Sequence, residues 1–125
     1  MPKIIHLALK VEDLEKASDF YQKVFGFTRM GEGNFSDHTS RHMSDGTIDL
    51  ALIRFNRDSP NALISGEGPC IHHFGIEVED LEASLEELKA AGCEILSAPG
   101  EVPLRFRDPN GVVAELVPPG RYKKP

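Results

Sequence analysis

The sequence has no tryptophan, only two cysteines and no apolar run long enough to cross a bilayer. A membrane-spanning helix needs about 20 consecutive apolar residues, whereas the stretch Ile4–Leu9 is short and contains a histidine. That stretch is typical of a strand and not of a signal peptide, so no targeting segment is expected. Cys70 and Cys93 lack the CxxC spacing of metal or redox motifs, and we expect free thiols in a reducing cytoplasm.

Positive charge is also scarce. The chain has 14 Lys and Arg residues against 20 Asp and Glu, a formal net charge of −6, which argues against nucleic acid or an acidic membrane as a partner. The C-terminal cluster of Arg121, Lys123 and Lys124 is too small to change this balance. With 125 residues, of which 40% are hydrophobic, the chain suits one domain with an ordinary core. We therefore expect neither a nucleic-acid partner nor a membrane partner.

An internal repeat organises the chain. Residues 6–15 align without gaps on residues 73–82, and six of the ten positions are identical, including the run Val-Glu-Asp-Leu-Glu. Both copies continue as an amphipathic pattern at helical spacing. Each predicted helix is framed by an aspartate as N-cap and a glycine near its end: Asp13 and Gly26, then Asp80 and Gly92.

Three short strand-like segments follow each predicted helix, separated by turn-forming residues. They are Phe27–Met30, roughly Phe35–Met43 and Thr47–Phe55 in the first unit, and Cys93–Ser97, Val102–Arg107 and Val112–Val117 in the second. The predicted fold class is therefore α+β, with two pseudo-symmetric βαβββ modules and eight strands. The predicted boundaries are module one at about 1–56, a linker at about 57–69, module two at about 70–118 and a C-terminal tail at 119–125.

Strand alternation places two histidines and two acids on the side of the sheet away from the helices. His6 and His73 are 67 positions apart, and Asp49 and Glu115 are 66 positions apart. A pseudo-dyad between the two modules would therefore bring all four side chains toward one point. Neutral imidazole and carboxylate are ligands that a divalent first-row metal accepts. The pattern predicts a metal site, although duplication could also have preserved strand residues that only face a solvated groove.

Three stretches of the chain carry family motifs: residues 6–27, which end in Phe-Tyr-Gln-Lys-Val-Phe-Gly-Phe, residues 68–82 and residues 106–117. They resemble the vicinal oxygen chelate superfamily (glyoxalase / bleomycin resistance protein / extradiol dioxygenase). The resemblance implies that the two modules form an open, cup-shaped, eight-stranded mixed sheet. It also implies one divalent metal ion at the base of the cup, which could be nickel, cobalt, zinc, manganese or iron.

The resemblance implies a ligand set as well. The family's metal ligands fall on His6, His73 and Glu115. Its fourth position, often Glu or Gln, falls on Asp49, which is a departure from the pattern. Because aspartate is one methylene shorter than glutamate, we expect Asp49 to be a weaker or indirect ligand.

The other histidines and the arginines receive simpler interpretations. By alternation His72 points to the helix side and is structural. His38 and His42 share one strand face and could line the cup, but a solvated edge strand is the simpler interpretation. Four arginines offer anchors for an anionic substrate: Arg41, Arg54, Arg105 and Arg107.

The resemblance implies a divalent-metal-dependent enzyme, either a lyase or an isomerase or epimerase, that transfers a proton next to a carbonyl of a small metabolite. The metal would polarise the carbonyl, and the predicted catalytic residues Asp49 or Glu115 would move the proton. Three alternatives stay open. They are a non-haem Fe(II) extradiol-type dioxygenase, a thiol transferase that acts on an antibiotic, and a metal-free protein that binds a drug or metabolite.

The expected assembly is a homodimer. An open cup has exposed sheet edges, which favour pairing between chains, and closed twofold symmetry is the commonest oligomeric arrangement. The repeat leaves open whether each site lies within one chain or is shared between two.

Overall fold

The computed structural model describes residues 1–122, so Lys123 and Lys124 of the predicted basic cluster lie outside the described part of the chain. The first half contains β1 (Lys3–Lys10), α1 (Leu14–Phe25), β2 (Thr28–Asn34), β3 (His38–Ser44) and β4 (Asp49–Phe55). A short 3-10 helix, Pro60–Leu63, lies in the connection. The second half contains β5 (Cys70–Glu77), α2 (Leu81–Ala90), β6 (Leu104–Arg107) and β7 (Val113–Val117).

Both helices begin at the aspartates that the sequence predicts. The carboxylates of Asp13 and Asp80 each accept a hydrogen bond of 3.0 Å from the backbone N–H three residues further on. α1 ends at Gly26, whose φ of 75° is left-handed, and α2 ends at Ala91, one residue before Gly92. Within residues 1–122, neither helix is long and apolar enough to span a membrane.

The described strands form one mixed sheet in the order β2-β3-β4-β1-β5-β7-β6, which confirms the predicted α+β class. β1 and β5 pair antiparallel at the centre, so the two halves of one chain lie side by side. β4 pairs parallel with β1 and places Asp49 opposite His6, while β7 pairs parallel with β5 and places Glu115 opposite Gly75. β4 and β7, and next to them β3 and β6, thus occupy equivalent places on either side of the central pair, while β2 extends the sheet on one side only.

The eighth predicted strand, Cys93–Ser97, is reduced to a single bridge between Ile95 and Phe106. The segment runs beside β6, but Pro99 and Pro103 have no N–H to donate, so the pairing cannot extend. The sheet of residues 1–122 therefore has seven strands and not the eight that the repeat predicts.

The two faces of the sheet differ in character. On the helix face, Met43 and Leu52 are fully buried below α1, while Phe106 and Leu116 pack below α2. A smaller apolar cluster of Ala8, Ala51 and Ile53 lies on the opposite face. We call this opposite face, which carries His6 and Asp49, the cup face.

A β-bulge precedes each central histidine. Ile5 is the extra residue before His6 in β1, and its repeat equivalent His72 is the extra residue before His73 in β5. A bulge interrupts the two-residue alternation of side chains. His72 therefore lies on the cup face, where its ring is 4.9 Å from that of Phe55, and the prediction that it points to the helix side is wrong.

A substitution at Leu52 tests the assignment of the core below α1. Because its side chain is 0% exposed, Leu52→Ala should lower the free energy of unfolding by about 2–5 kcal/mol through lost burial and the cavity left behind. Val112→Ala is the control, since Val112 is 51% exposed and should cost about 0.5 kcal/mol or less. Denaturant titration measures both values, and equal losses would contradict the core assignment.

Candidate metal centre

His6, His73 and Glu115 converge on the cup face. The Nε2 atoms of the two histidines are 3.2 Å apart, and each lies 3.3–3.4 Å from a carboxylate oxygen of Glu115. One ligand atom from each residue can be chosen so that all three lie within 4.8 Å of one another. The side chains come from β1, β5 and β7 of a single chain, so the structure brings together in one chain the three residues that the sequence predicts as ligands.

The ionisation states of these side chains are suited to binding a cation. Burial would raise the pKa of Glu115, but its contacts with His73 and His6 and the hydrogen bond from the hydroxyl of Tyr122 hold that pKa at about 2. Burial lowers the pKa of His73, against the opposing effect of Glu115. An ionised carboxylate and a neutral imidazole are the forms that bind a metal ion.

Asp49 lies outside this group of three. It contacts His6 at Nδ1, the ring nitrogen that faces away from Glu115. Its Oδ2 is 2.6 Å from Nδ1 of His6, and both of its oxygens are within 2.9–3.0 Å of Nδ1 of His42. Burial would raise the pKa of Asp49, but the hydrogen bonds from His42 and His6 lower it below its ordinary value. An ionised carboxylate only accepts hydrogen bonds, so His6 carries its proton on Nδ1 and directs the lone pair of Nε2 toward Glu115.

His72 fixes which ring nitrogen of His73 carries the proton, as Asp49 does for His6. Nε2 of His72 is 2.7 Å from the carbonyl oxygen of Asn61. Since a carbonyl only accepts, this nitrogen carries the proton and Nδ1 of His72 is an acceptor. Nδ1 of His73 lies 2.7 Å away and is therefore the donor, which leaves the lone pair on Nε2 of His73. Burial lowers the pKa of His72 to about 4, so the ring stays neutral. Both ligand histidines thus present lone pairs to one point, and the donor set fits a divalent metal.

Gly75 allows His6 to occupy its position. The two residues are register partners across β1 and β5. A Cβ atom at Gly75 would lie 2.9 Å from Cβ of His6 and 3.2 Å from its Cδ2, which is closer than real contacts. A glycine in a strand interior can mark such a close approach.

Tyr122 covers the group from the C-terminal segment. Its hydroxyl donates a hydrogen bond of 2.6 Å to Oε1 of Glu115, and its ring stacks on His6 at a centroid distance of 4.1 Å. Burial, together with the neighbouring charge of Glu115, raises the pKa of Tyr122, so the hydroxyl keeps its proton. Sequence reasoning missed Tyr122, because the segment after β7 has neither a periodic pattern nor a motif.

His38 and His42 line the cup, and the prediction that they lie on a solvated edge strand is wrong. β3 is an inner strand between β2 and β4, and the side chains of His38 and His42 are only 24% and 28% exposed. Nδ1 of His38 is 2.6 Å from Asp37. The shared parity of the two histidines in the sequence was the useful observation.

A cavity of about 540 Å³ opens onto the metal-ligand candidates. Its wall includes Arg105 and Arg121, and Arg105 also reaches Oε2 of Glu115 at 3.4 Å. Of the other arginines weighed as anchors, Arg41 pairs with glutamates outside the cup, Arg107 pairs with Glu94, and Arg54 is exposed. The cavity wall therefore carries both charges, with two arginines and the acids Asp37, Glu101 and Glu115 around the metal-ligand candidates.

The chain is similar to known proteins along most of its length. The "Probable lactoylglutathione lyase" of Vibrio cholerae is 27% identical over 131 residues, which cover 92% of this chain and 89% of the relative. The mitochondrial methylmalonyl-CoA epimerase of Homo sapiens is 29% identical over 127 residues, with 91% and 72% covered. The crystal structure of methylmalonyl-CoA epimerase from Mycobacterium tuberculosis matches with a TM-score of 0.79 at 22% identity, covering 93% of this chain and 87% of that one. At that identity the structural likeness shows the fold alone.

The family assignment rests on the match to a family model. The family model of the Glyoxalase/Bleomycin resistance protein/Dioxygenase superfamily matches residues 3–116. This range contains the described helices and strands, apart from Val117 at the end of β7, together with His6, His73 and Glu115. The chain therefore belongs to the Glyoxalase/Bleomycin resistance protein/Dioxygenase superfamily, as its motifs predicted.

Proposed function

We propose that this chain is a divalent-metal-dependent enzyme that transfers a proton next to a carbonyl group of a small substrate, as a lyase or as an isomerase or epimerase. The observation that carries the proposal is the convergence of three buried ligand atoms from His6, His73 and Glu115 at one cavity. The similarity to a lactoylglutathione lyase and to a methylmalonyl-CoA epimerase supports the same reaction classes.

Each residue of the cup has a distinct part in this proposal. His6, His73 and Glu115 would hold one divalent ion, for which the donor set admits nickel, cobalt, zinc, manganese or iron. The bound ion would supply a Lewis acid that polarises the substrate carbonyl. Arg105 and Arg121 line the cavity, where their guanidinium groups would pair with an anionic group of a substrate.

The two acids predicted as catalytic, Asp49 and Glu115, would act indirectly. Asp49 would orient two histidines, and Glu115 would bind the metal ion. Both oxygens of Asp49 already accept N–H groups from two histidines, so we propose that Asp49 is a positioning residue and at most an indirect ligand. Glu115 would serve as a ligand, with its carboxylate fixed by the hydroxyl of Tyr122.

A second candidate is oxygen chemistry at iron. Two histidines and one carboxylate also form the facial arrangement that is typical of non-haem Fe(II) oxygenases, and the same three residues support it. Metal analysis of protein purified without added metal separates the possibilities. Iron would favour a dioxygenase, another divalent ion would favour a lyase, isomerase or thiol transferase, and no bound metal would favour a metal-free binding protein.

The reaction class predicts deuterium exchange at carbon. The protein, loaded with each candidate metal in D₂O, should replace the hydrogen next to the carbonyl of methylmalonyl-CoA or lactoylglutathione, the compounds named by the two relatives. Proton NMR follows the loss of that resonance. A chelator and the variant His73→Ala are the controls, and both should abolish exchange. Failure of every metal form to exchange either compound would refute the proposed function.

The ligand assignment predicts different results for two substitutions. His73→Ala removes one of three donors and should empty the metal site. Asp49→Ala should retain most of the metal but slow exchange by about 10–100-fold, because His6 loses the carboxylate that orients it. Elemental analysis and exchange rates measure both effects. If Asp49→Ala empties the site as completely as His73→Ala, Asp49 is a full ligand and the assignment is incorrect.

We also propose that the working unit is a cytoplasmic homodimer. Phe20, Val24 and Phe25 leave 50–60% of their surface exposed on α1, and a second copy of the chain would cover such an apolar face. Cys70 and Cys93 are free thiols, which is common in a reducing compartment. Light scattering at micromolar concentration should give twice the chain mass of 13.8 kDa, whereas a species of 13.8 kDa would contradict the dimer.

A further inference from the structure

His42 combines a fixed orientation with access to the cavity. Its Nδ1 lies 2.9 and 3.0 Å from the two oxygens of Asp49. Because an ionised carboxylate only accepts, Nδ1 carries the proton and Nε2 keeps its lone pair. Within residues 1–122, Nε2 of His42 has no hydrogen-bond partner, and the side chain is 28% exposed and lines the cavity. The cup therefore contains an accessible nitrogen base, Nε2 of His42, whose ring is fixed by the hydrogen bonds from Nδ1 to Asp49.

Asp49 and Glu115, the two acids predicted as catalytic, are less suited to accept a proton from a substrate. Asp49 and Glu115 are only 2% and 1% exposed. The oxygens of Asp49 are taken by two imidazoles. In Glu115, Oε1 accepts the hydroxyl of Tyr122, and Oε2 lies against His73 and an arginine. A general base must come within hydrogen-bond reach of the proton that it takes, and neither carboxylate presents a free oxygen to the cavity.

The position of His42 also suits a role beside the metal-ligand candidates. Its ring centroid is 6.5 Å from that of His6 and 6.0 Å from that of Tyr122. The ring of His42 is therefore within reach of a small substrate that is bound beside His6. His38 is less suited, since it lies four residues away on β3, roughly 13 Å along the strand at about 3.3 Å per residue.

We propose that His42 is the catalytic base of the reaction and that Asp49 is the residue that positions it. This proposal rests on the proposed function. The C–H bond next to the substrate carbonyl breaks, its proton moves to Nε2 of His42, and its electron pair moves into the carbonyl group to give an enolate. The adjacent Asp49 carboxylate stabilises the imidazolium that forms. Nε2 then returns the proton to the same or the neighbouring carbon, so the step needs no oxidant or further reactant.

The variant His42→Asn tests the base directly. The asparagine amide can take the place of Nδ1 and donate to Asp49, but it has no group at the position of Nε2. Deuterium exchange into methylmalonyl-CoA or lactoylglutathione should fall by about 100-fold or more, with metal content and melting temperature at the wild-type level. Thr39→Ala is the control on the same strand, because Thr39 bonds to Asn34 and not to the cup, and its exchange rate should not change.

Nitrogen-15 NMR of the metal-free protein adds a measurement that does not depend on activity. His42 should appear as the Nδ1–H tautomer, and Asp49→Ala should convert it to a mixture of tautomers. A single Nε2–H tautomer in the unsubstituted protein would overturn the proposal, since no lone pair would face the cavity.

The possible outcomes separate the two proposals. If the unsubstituted protein exchanges and His42→Asn exchanges equally fast, His42 is not the base, although the proposed function stands. If His42→Asn fails to fold, His42→Gln replaces it, and loss of metal in proportion to loss of exchange would show a structural role and overturn the base. If the unsubstituted protein exchanges nothing, the proposed function fails and the base fails with it.

Discussion

The buried carboxylate of Asp49 is the interaction on which the arrangement of the cup face depends. It sits at the start of β4, opposite His6 in the parallel pairing of β4 with β1, and it receives N–H groups from two rings on two neighbouring strands. A buried charge is costly unless it is paired and hydrogen-bonded. The two imidazoles meet this requirement, and in doing so each of them has its protonated nitrogen fixed. One carboxylate therefore determines where the lone pairs of both His6 and His42 point.

Charge balance explains why the site suits a cation. Asp49 and Glu115 are both buried and both have lowered pKa values, whereas His73 is held in its neutral form by burial. Among the described residues, the positive group in contact with Glu115 is Arg105, at 3.4 Å and 24% exposed. Two buried negative charges thus face one partly solvated positive charge. A divalent ion between His6, His73 and Glu115 would change this net negative charge to a net positive charge.

Much of the fold, and the convergence of His6, His73 and Glu115, could be predicted because both follow from simple periodicities. The repeat located both helices and both central strands, and alternation along unbulged strands placed Asp49 and Glu115 on the correct face. His72 could not be placed in this way, since the bulge in β5 is a tertiary feature of its pairing with β1. His42 was misjudged because strand order decides whether β3 is an edge, and strand order is not visible in local sequence. Tyr122 reaches Glu115 from an irregular segment, for which no periodicity exists.

The central claim is that His6, His73 and Glu115 bind one metal ion while Asp49 stays behind His6. Anomalous diffraction from crystals of the metal-loaded protein tests it most directly. The account predicts one strong peak at about 2.0–2.2 Å from Nε2 of both histidines and from a carboxylate oxygen of Glu115, with the hydrogen bond between Asp49 and His6 intact. A peak elsewhere, or one bonded directly to Asp49 in place of any of the three residues, would contradict the account.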